Sequence, residues 1–293
     1  MVSRAPNSII VVDVVKQRAA ARIRRAEKRG RTMGGVVVTE RRGSVAAIRM
    51  NRPERLNAYN EEMGAALLSS VSAAAADPEV RCLVLSGTGK AFSAGGDVES
   101  FAAFEDEGPG KFMGLAIGLH ALIATIRRAP KPVVAAVNGV AAGAGFSMAL
   151  ACDVAVAAAS ARFTLGYQNI GLSPDGGMTF FLARAVGAQR AMEMTLFSRV
   201  LPAARAAEWG LVQEVLPDAD FSAGIDALAD RLASGPTLAY ARAKELYNRA
   251  LAQPLEAQLE EERQQISRCA GSLDFREGIR AFLEKRPARF EGR

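Results

Sequence analysis

The sequence predicts an α/β protein built on parallel strands, and three observations carry that prediction. Three short runs are almost wholly apolar: VRCLVLSG (80–87), KPVVAAVNG (131–139) and DVAVAA (153–158). Strands read this way when both faces of their sheet are covered. Segments of helical character, 111–128 and FSMALA (146–151), lie between them. Strands alternating with helices imply parallel crossovers. Glycine-rich turns, KAFSAGGD (90–97) and NGVAAGAG (138–145), follow two of the strands and lead into helices.

Taken in order, VVVTERRGSVAAIRM (36–50) reads as a β-hairpin around Arg41, Arg42 and Gly43. NRPERLNAYN (51–60) is a loop, and Asn60 can cap a helix that runs to Asp77 and stops before Pro78. The strand 80–87 follows. FEDEGPG (104–110) reads as an acidic loop, and the helix 111–128 ends in Arg127 and Arg128. After the strand 153–158 comes LGYQNIGLSPDGGMT (165–179), a loop whose one charged side chain is Asp175. Pro202 starts a helix through Trp209, and VQEVL (212–216) is a short strand. From residue 221 the pattern is helical, interrupted at Gly235–Pro236, Pro254 and Gly271. These shifts divide the chain into a basic leader (1–35), an α/β core (36–235) and a helical C-terminal region (236–293).

The chain has 293 residues, 49% apolar and 23% charged, the balance of a globular protein with a sizeable core. Aromatics make up only 6% while alanine and glycine abound, so the core must pack backbone close to backbone. The net charge of +6 is uneven: residues 1–35 carry +7 and the remainder −1. The basic excess belongs to the leader, which is weak ground for nucleic-acid binding. The leader's apolar stretch IIVVDVV (9–15) is short and precedes its charges, unlike a secretory signal. It reads as a disordered tail or a mis-assigned start ahead of Met33. Cys82, Cys152 and Cys269 lie far apart, which gives no disulfide or zinc pattern and suits a reducing cytoplasm. A single histidine, His120, excludes a multi-histidine metal site. No run of 18 apolar residues predicts a membrane span.

Among motifs, GTGKAF (87–92) lacks the Ser/Thr and glycine spacing of a phosphate loop, and GVAAGAG (139–145) lacks the dinucleotide spacing. There is no G-x-S-x-G elbow. The turns AFSAGGD and NGVAAGAG remain. Side by side, they can aim two free backbone N–H groups at one oxygen, as an oxyanion hole does. Plain packing turns are the alternative. Asp175 is likewise either an Asx-turn residue or an acid/base.

AFSAGGD, KPVVAAVNGVAAGAG, ACDVAVAAASARF, GLSPDGG, AAEWGLVQEVLP and DFREGIRAFLEKRPARF, in this order, resemble the enoyl-CoA hydratase/isomerase (crotonase) superfamily over residues 36–293. The resemblance implies a crotonase-like spiral of ββα units with a helical C-terminal trimerisation region, assembled as a homotrimer or a hexamer. It implies an acyl-CoA thioester as substrate and no cofactor beyond the coenzyme A of that substrate. A thioester oxyanion would be held by the N–H groups of Gly96 and Ala144. Arg52, Asn57 and Ala94 would lie along the CoA, with Phe282 and Lys285 reaching that of a neighbouring subunit.

Two departures set the expected chemistry. Where hydratases of the family carry two glutamates, this chain has Ser147 and Tyr167. Neither is a base suited to activating water at neutral pH. Asp175 stands where the family's isomerases place their single acid. The expectation is therefore a double-bond isomerase, with Asp175 moving the proton and Ser147, Tyr167 and His120 in the substrate pocket. The alternatives are a hydratase, an aryl- or alicyclic-CoA enzyme of the dehalogenase or hydrolase kind, and, outside enzymology, an RNA-binding member of the family. In the dehalogenase branch an aspartate of this turn is the nucleophile, assisted by a tryptophan eight residues earlier and a helix histidine. The same offsets here hold Tyr167 and His120.

Overall fold

A computed structural model describes residues 35–104, 107–250 and 252–293. The reading of the leader, save for Gly35, therefore lies outside the described residues. The hairpin forms from β1 (Val37–Arg42) and β2 (Val45–Met50), paired antiparallel. Arg41 and Arg42 belong to the strand, not to the turn, which closes at Gly43 with φ +57°. Helix α1 (Glu61–Ala76) begins at Asn60, whose side chain accepts the Met63 N–H at 2.9 Å. It buries Met63, Leu67, Val71 and Ala74, one stripe at helical spacing.

Then come β3 (Cys82–Gly87), β4 (Ala91–Ser93) and the short α2 (Val98–Ala102). The helix α3 (Gly108–Arg128) starts three residues before the predicted one, taking in part of the acidic loop, because Pro109 is tolerated in a first turn. Next are β5 (Val133–Val137), β6 (Val140–Ala142), α4 (Ala144–Ala151), β7 (Val154–Ala158) and β8 (Arg162–Thr164). Two helices, α5 (Met178–Val186) and α6 (Ala188–Phe197), lead to β9 (Leu201–Pro202), α7 (Ala203–Glu208) and β10 (Glu214–Leu216). The chain ends in α8 (Phe221–Ala233), α9 (Thr237–Ala250), α10 (Leu255–Ala270) and α11 (Leu273–Leu283).

The strands make two sheets. One has the order β1-β2-β3-β5-β7-β10, parallel except for β1. Its two faces are both covered, as its apolar strands require. Leu83, Leu85, Val133 and Ala135 pack towards α1 and α3, while Cys82, Val84, Val134 and Ala136 pack with Ile225, Ala229 and Ala233 of α8. Burial pushes the Cys82 thiol up to about 12. The second sheet, β4-β6-β8-β9, is built from strands of only two or three residues.

The C-terminal helices are tied to the core by polar locks. Lys244 on α9 donates to Asp153 at 2.7 Å and to the Ile126 carbonyl at 2.8 Å. Arg81 donates to the carbonyls of Gly235 and Phe290 and to the Thr237 hydroxyl. Beyond these locks, α10 and α11 leave Leu259, Ile266, Phe275, Ile279 and Phe282 exposed. By length and composition α3 alone among the described helices could cross a membrane. It buries Leu119, Leu122, Ile123 and Ile126 in the core, and its Arg127 pairs with Asp153.

Candidate active site

The second sheet positions the site. Its strands β4, β6 and β8 are mutually parallel, so their C-terminal ends fall on one side. Ligands of open α/β sheets bind outside such ends. The segments that follow them carry Gly96, Ala144 at the start of α4, and Tyr167. The first two turns are pressed together. A methyl group on Gly95 (φ +91°) would sit 2.8 Å from the Ala142 carbonyl oxygen, and one on Gly145 would overlap the Ser93 backbone. Only glycine permits that approach.

The loop before α1 fixes the first turn. Tyr59 donates its N–H to the Gly95 carbonyl at 2.6 Å and accepts the Asp97 N–H at 2.9 Å. In such a parallel bridge the intervening Gly96 N–H points away from Tyr59. No group among the described residues accepts it, nor the N–H of Ala144 in the first turn of α4. These are the two donors expected for an oxyanion.

Several candidates on the loop before α1 make their polar contacts within the chain. Asn57 is fully buried at φ +57°. Its amide donates to the carbonyls of Thr88 and Ala91 and accepts the Arg52 N–H. Its side chain holds the turn. Arg52 places its guanidinium on Asp97 (2.8 Å) and the Ala58 carbonyl (2.8 Å), with little exposure. Burial opposes ionisation of Asp97, but the Arg52 hydrogen bond and the Ser100 N–H outweigh it and hold the carboxyl below its ordinary range. Asp97 is a site-shaping residue that sequence reasoning passed over; an aspartate after two glycines at a helix start is a capping signal that marks it. Ala94 is half-buried and donates to Leu56 at 2.9 Å. Phe282 and Lys285 are exposed at the end of α11.

Around Asp175 the structure gathers the residues expected in the substrate pocket. Tyr167 donates its hydroxyl to Asp175 Oδ1 at 2.8 Å. Ser147, fully buried on α4, donates to the Asp175 carbonyl at 3.0 Å and lies 3.4 Å from the Tyr167 hydroxyl. His120 Nε2 accepts the Gly176 N–H at 3.2 Å. Burial, with the Asp175 charge adding to it, pushes the Tyr167 phenol well above its ordinary value. Tyr167 thus stays a donor, and Oδ2 of Asp175 has no partner among the described residues. The turn is a carboxylate held by one oxygen with the other left free.

A cavity of about 550 Å³ lies elsewhere, between Asp274, Glu277 and Arg286 in the C-terminal region. Its acids are already engaged, Glu277 by Arg286 at 2.6 Å and Asp274 by the N–H groups of Glu291 and Gly292.

Residues 40–293 match the family model described as enoyl-CoA hydratase/isomerase. A Rhodobacter capsulatus protein named "Probable enoyl-CoA hydratase" is 44% identical over 85% of this chain and 95% of its own. The 1,2-epoxyphenylacetyl-CoA isomerase of Escherichia coli is 39% identical over the same shares. An Arthrobacter 4-chlorobenzoyl coenzyme A dehalogenase is 35% identical over 85% of this chain and 91% of its own. The crystal structure of an enoyl-CoA hydratase from Polaromonas sp. JS666 superposes with a TM-score of 0.84 at 38% identity, covering 87% of this chain and all of that one.

Proposed function

The chain belongs to the enoyl-CoA hydratase/isomerase family, and on that premise we propose that it moves a carbon–carbon double bond in an enoyl-CoA thioester by a 1,3-proton shift. Oδ2 of Asp175 takes a proton from the carbon next to the thioester of a 3-enoyl-CoA. The electron pair flows through the carbon chain onto the thioester oxygen, where the N–H groups of Gly96 and Ala144 stabilise it. Asp175 then returns the proton to the far carbon of the former double bond, leaving a 2-enoyl-CoA. Tyr167 and Ser147 keep the carboxylate aimed during both transfers. No cofactor is needed, since the thioester itself stores the electron pair.

The observation that carries this reading is the single carboxylate held through one oxygen, at a site where Ser147 and Tyr167 occupy the two hydratase-acid positions. One acid suffices for a proton shift, whereas the two-glutamate scheme also positions water. The test is a comparison of two rates in the purified protein. Isomerisation of 3-enoyl-CoA should exceed hydration of 2-enoyl-CoA by ~100-fold or more, the scale of one lost general base. Equal rates would overturn the assignment.

A second reading, a ring-bearing acyl group, is favoured by the two relatives named for phenylacetyl- and benzoyl-type thioesters. It keeps Asp175 at the centre and changes what the pocket must hold. Assembly as a homotrimer or a dimer of trimers belongs to the same proposal. The exposed apolar face of α10 and α11 would form the contact, with Phe282 and Lys285 near a neighbour's CoA.

A further inference from the structure

Tyr59 does more than clamp the Gly96 turn with its backbone. Its side chain is 4% exposed and runs between α1 and α3. At its end the hydroxyl meets two helical glycines. A methyl on Gly64 would overlap the phenol oxygen, and one on Gly118 would sit 3.4 Å from it. Glycine inside a helix is costly relative to alanine, so this space for a phenol is bought twice. The hydroxyl itself has no hydrogen-bond partner among the described residues.

The glycine spacing on α3 continues outward. Gly110, Gly114 and Gly118 recur every fourth residue and share one face. Methyl groups on Gly110 and Gly114 would meet nothing within 4 Å. A side-chain-free track thus runs along α3 from the exposed Gly110 to the half-buried Gly118, and the phenol oxygen stands at its inner end. The next residues of α3 touch the catalytic turn: Leu119 packs against Gly176, and His120 accepts its N–H. Burial, with the Asp175 charge adding to it, raises the Tyr59 phenol and keeps it a donor.

We infer that Tyr59 is a substrate-recognition residue: its hydroxyl closes a glycine-walled extension of the acyl pocket and donates a hydrogen bond to an oxygen borne by the acyl group beyond the thioester. A purely hydrocarbon acyl group lying against this hydroxyl would strip it of water and leave the donor unpaired, which disfavours such a group. The inference rests on the acyl-CoA reading above and deepens it from enoyl thioesters in general to those bearing a hydroxyl, carbonyl or ether oxygen.

The test measures binding without chemistry, using saturated esters: hexanoyl- and phenylacetyl-CoA, each against its ring- or chain-hydroxylated forms, by calorimetry. The wild-type chain should bind at least one hydroxylated ester ~10-fold more tightly than its parent, the scale of one buried hydrogen bond. Tyr59→Phe should erase that preference and leave the parent's Kd within about twofold. Gly118→Ala, which favours the helix and places its methyl beside the hydroxyl, should erode the same preference. It serves as the second variant should Tyr59→Phe fold poorly. Parent and hydroxylated esters binding alike to the wild type, or a preference that survives both substitutions, would overturn the role of Tyr59 alone. If no ester binds, the acyl-CoA reading falls and this inference with it.

Discussion

The two sheets of this molecule are made by opposite means. The six-stranded sheet uses five- and six-residue apolar strands at its centre, each burying side chains on both faces against helices. The four-stranded sheet has strands of two or three residues and is held by backbone packed on backbone at Gly95, Gly143 and Gly145. The first sheet spends its sequence on stability. The second leaves its strand ends open, and those ends bear Gly96, Ala144 and the loop to Asp175. Stability and chemistry are therefore separable by substitution, and the predictions below try to break that separation.

The largest effect is expected in the small sheet. Gly95→Ala places a methyl 2.8 Å from the Ala142 carbonyl at a positive φ. It should lower kcat/KM by ~100-fold or more, the scale of one lost oxyanion donor, while the chain stays folded by circular dichroism. The counterpart in the large sheet is Leu83→Ala, fully buried in β3. It should cost ~2–5 kcal/mol in denaturant unfolding, with kcat per folded molecule unchanged. A Leu83→Ala protein as stable as the wild type, or one that is folded and inactive, would erase the contrast.

Tyr167→Phe sharpens the comparison within the small sheet. It removes the hydroxyl that holds Asp175 Oδ1 and leaves the ring. A hydrogen bond to a charged group is worth ~1.5–3 kcal/mol, so kcat should fall by about 10- to 150-fold with KM nearly constant. A change in KM alone would return Tyr167 to a pocket-shaping role.

The smallest effect concerns pH. Asp97 has its folded pKa depressed, so its ion pair with Arg52 adds stability above the unfolded value of ~3.9 and loses it as pH falls through the lower folded value. Arg52→Ala removes the depression. Its acid unfolding should begin at a higher pH than that of the wild type, and coincident acid transitions would show the pair to be energetically idle.

The same division explains what was legible in the sequence. β3, β5 and β7 stand out because a strand covered on both faces must be continuously apolar. β4, β6 and β8 are too short to show a period; the residues of β4 and β6 read as turns, and those of β8 gave no reading. The chain signals them only through the glycines that let them touch. Asp175 was visible as a lone charge in an apolar loop, and the missing hydratase acids were visible by position. The Tyr167–Asp175 hydrogen bond was not: it spans eight residues that pass through Gly171 at φ +72°. Tyr59 was hidden in a loop reading, and its signal lay elsewhere, in Gly64 and Gly118 inside two helices. Asn57 and Arg52 lie on the loop read from the sequence, and their side chains face inward, because a turn at positive φ needs its own polar groups satisfied.

The central claim is that one carboxylate moves the proton, and Asp175→Asn tests it most directly. The substitution keeps the shape of the side chain and an oxygen for Tyr167 while removing the base. Single-turnover assays with a 3-enoyl-CoA should show isomerisation reduced by at least ~100-fold, with the Kd for a saturated CoA ester unchanged. Isomerisation at the wild-type rate in that variant, with the ester still bound, would contradict the account.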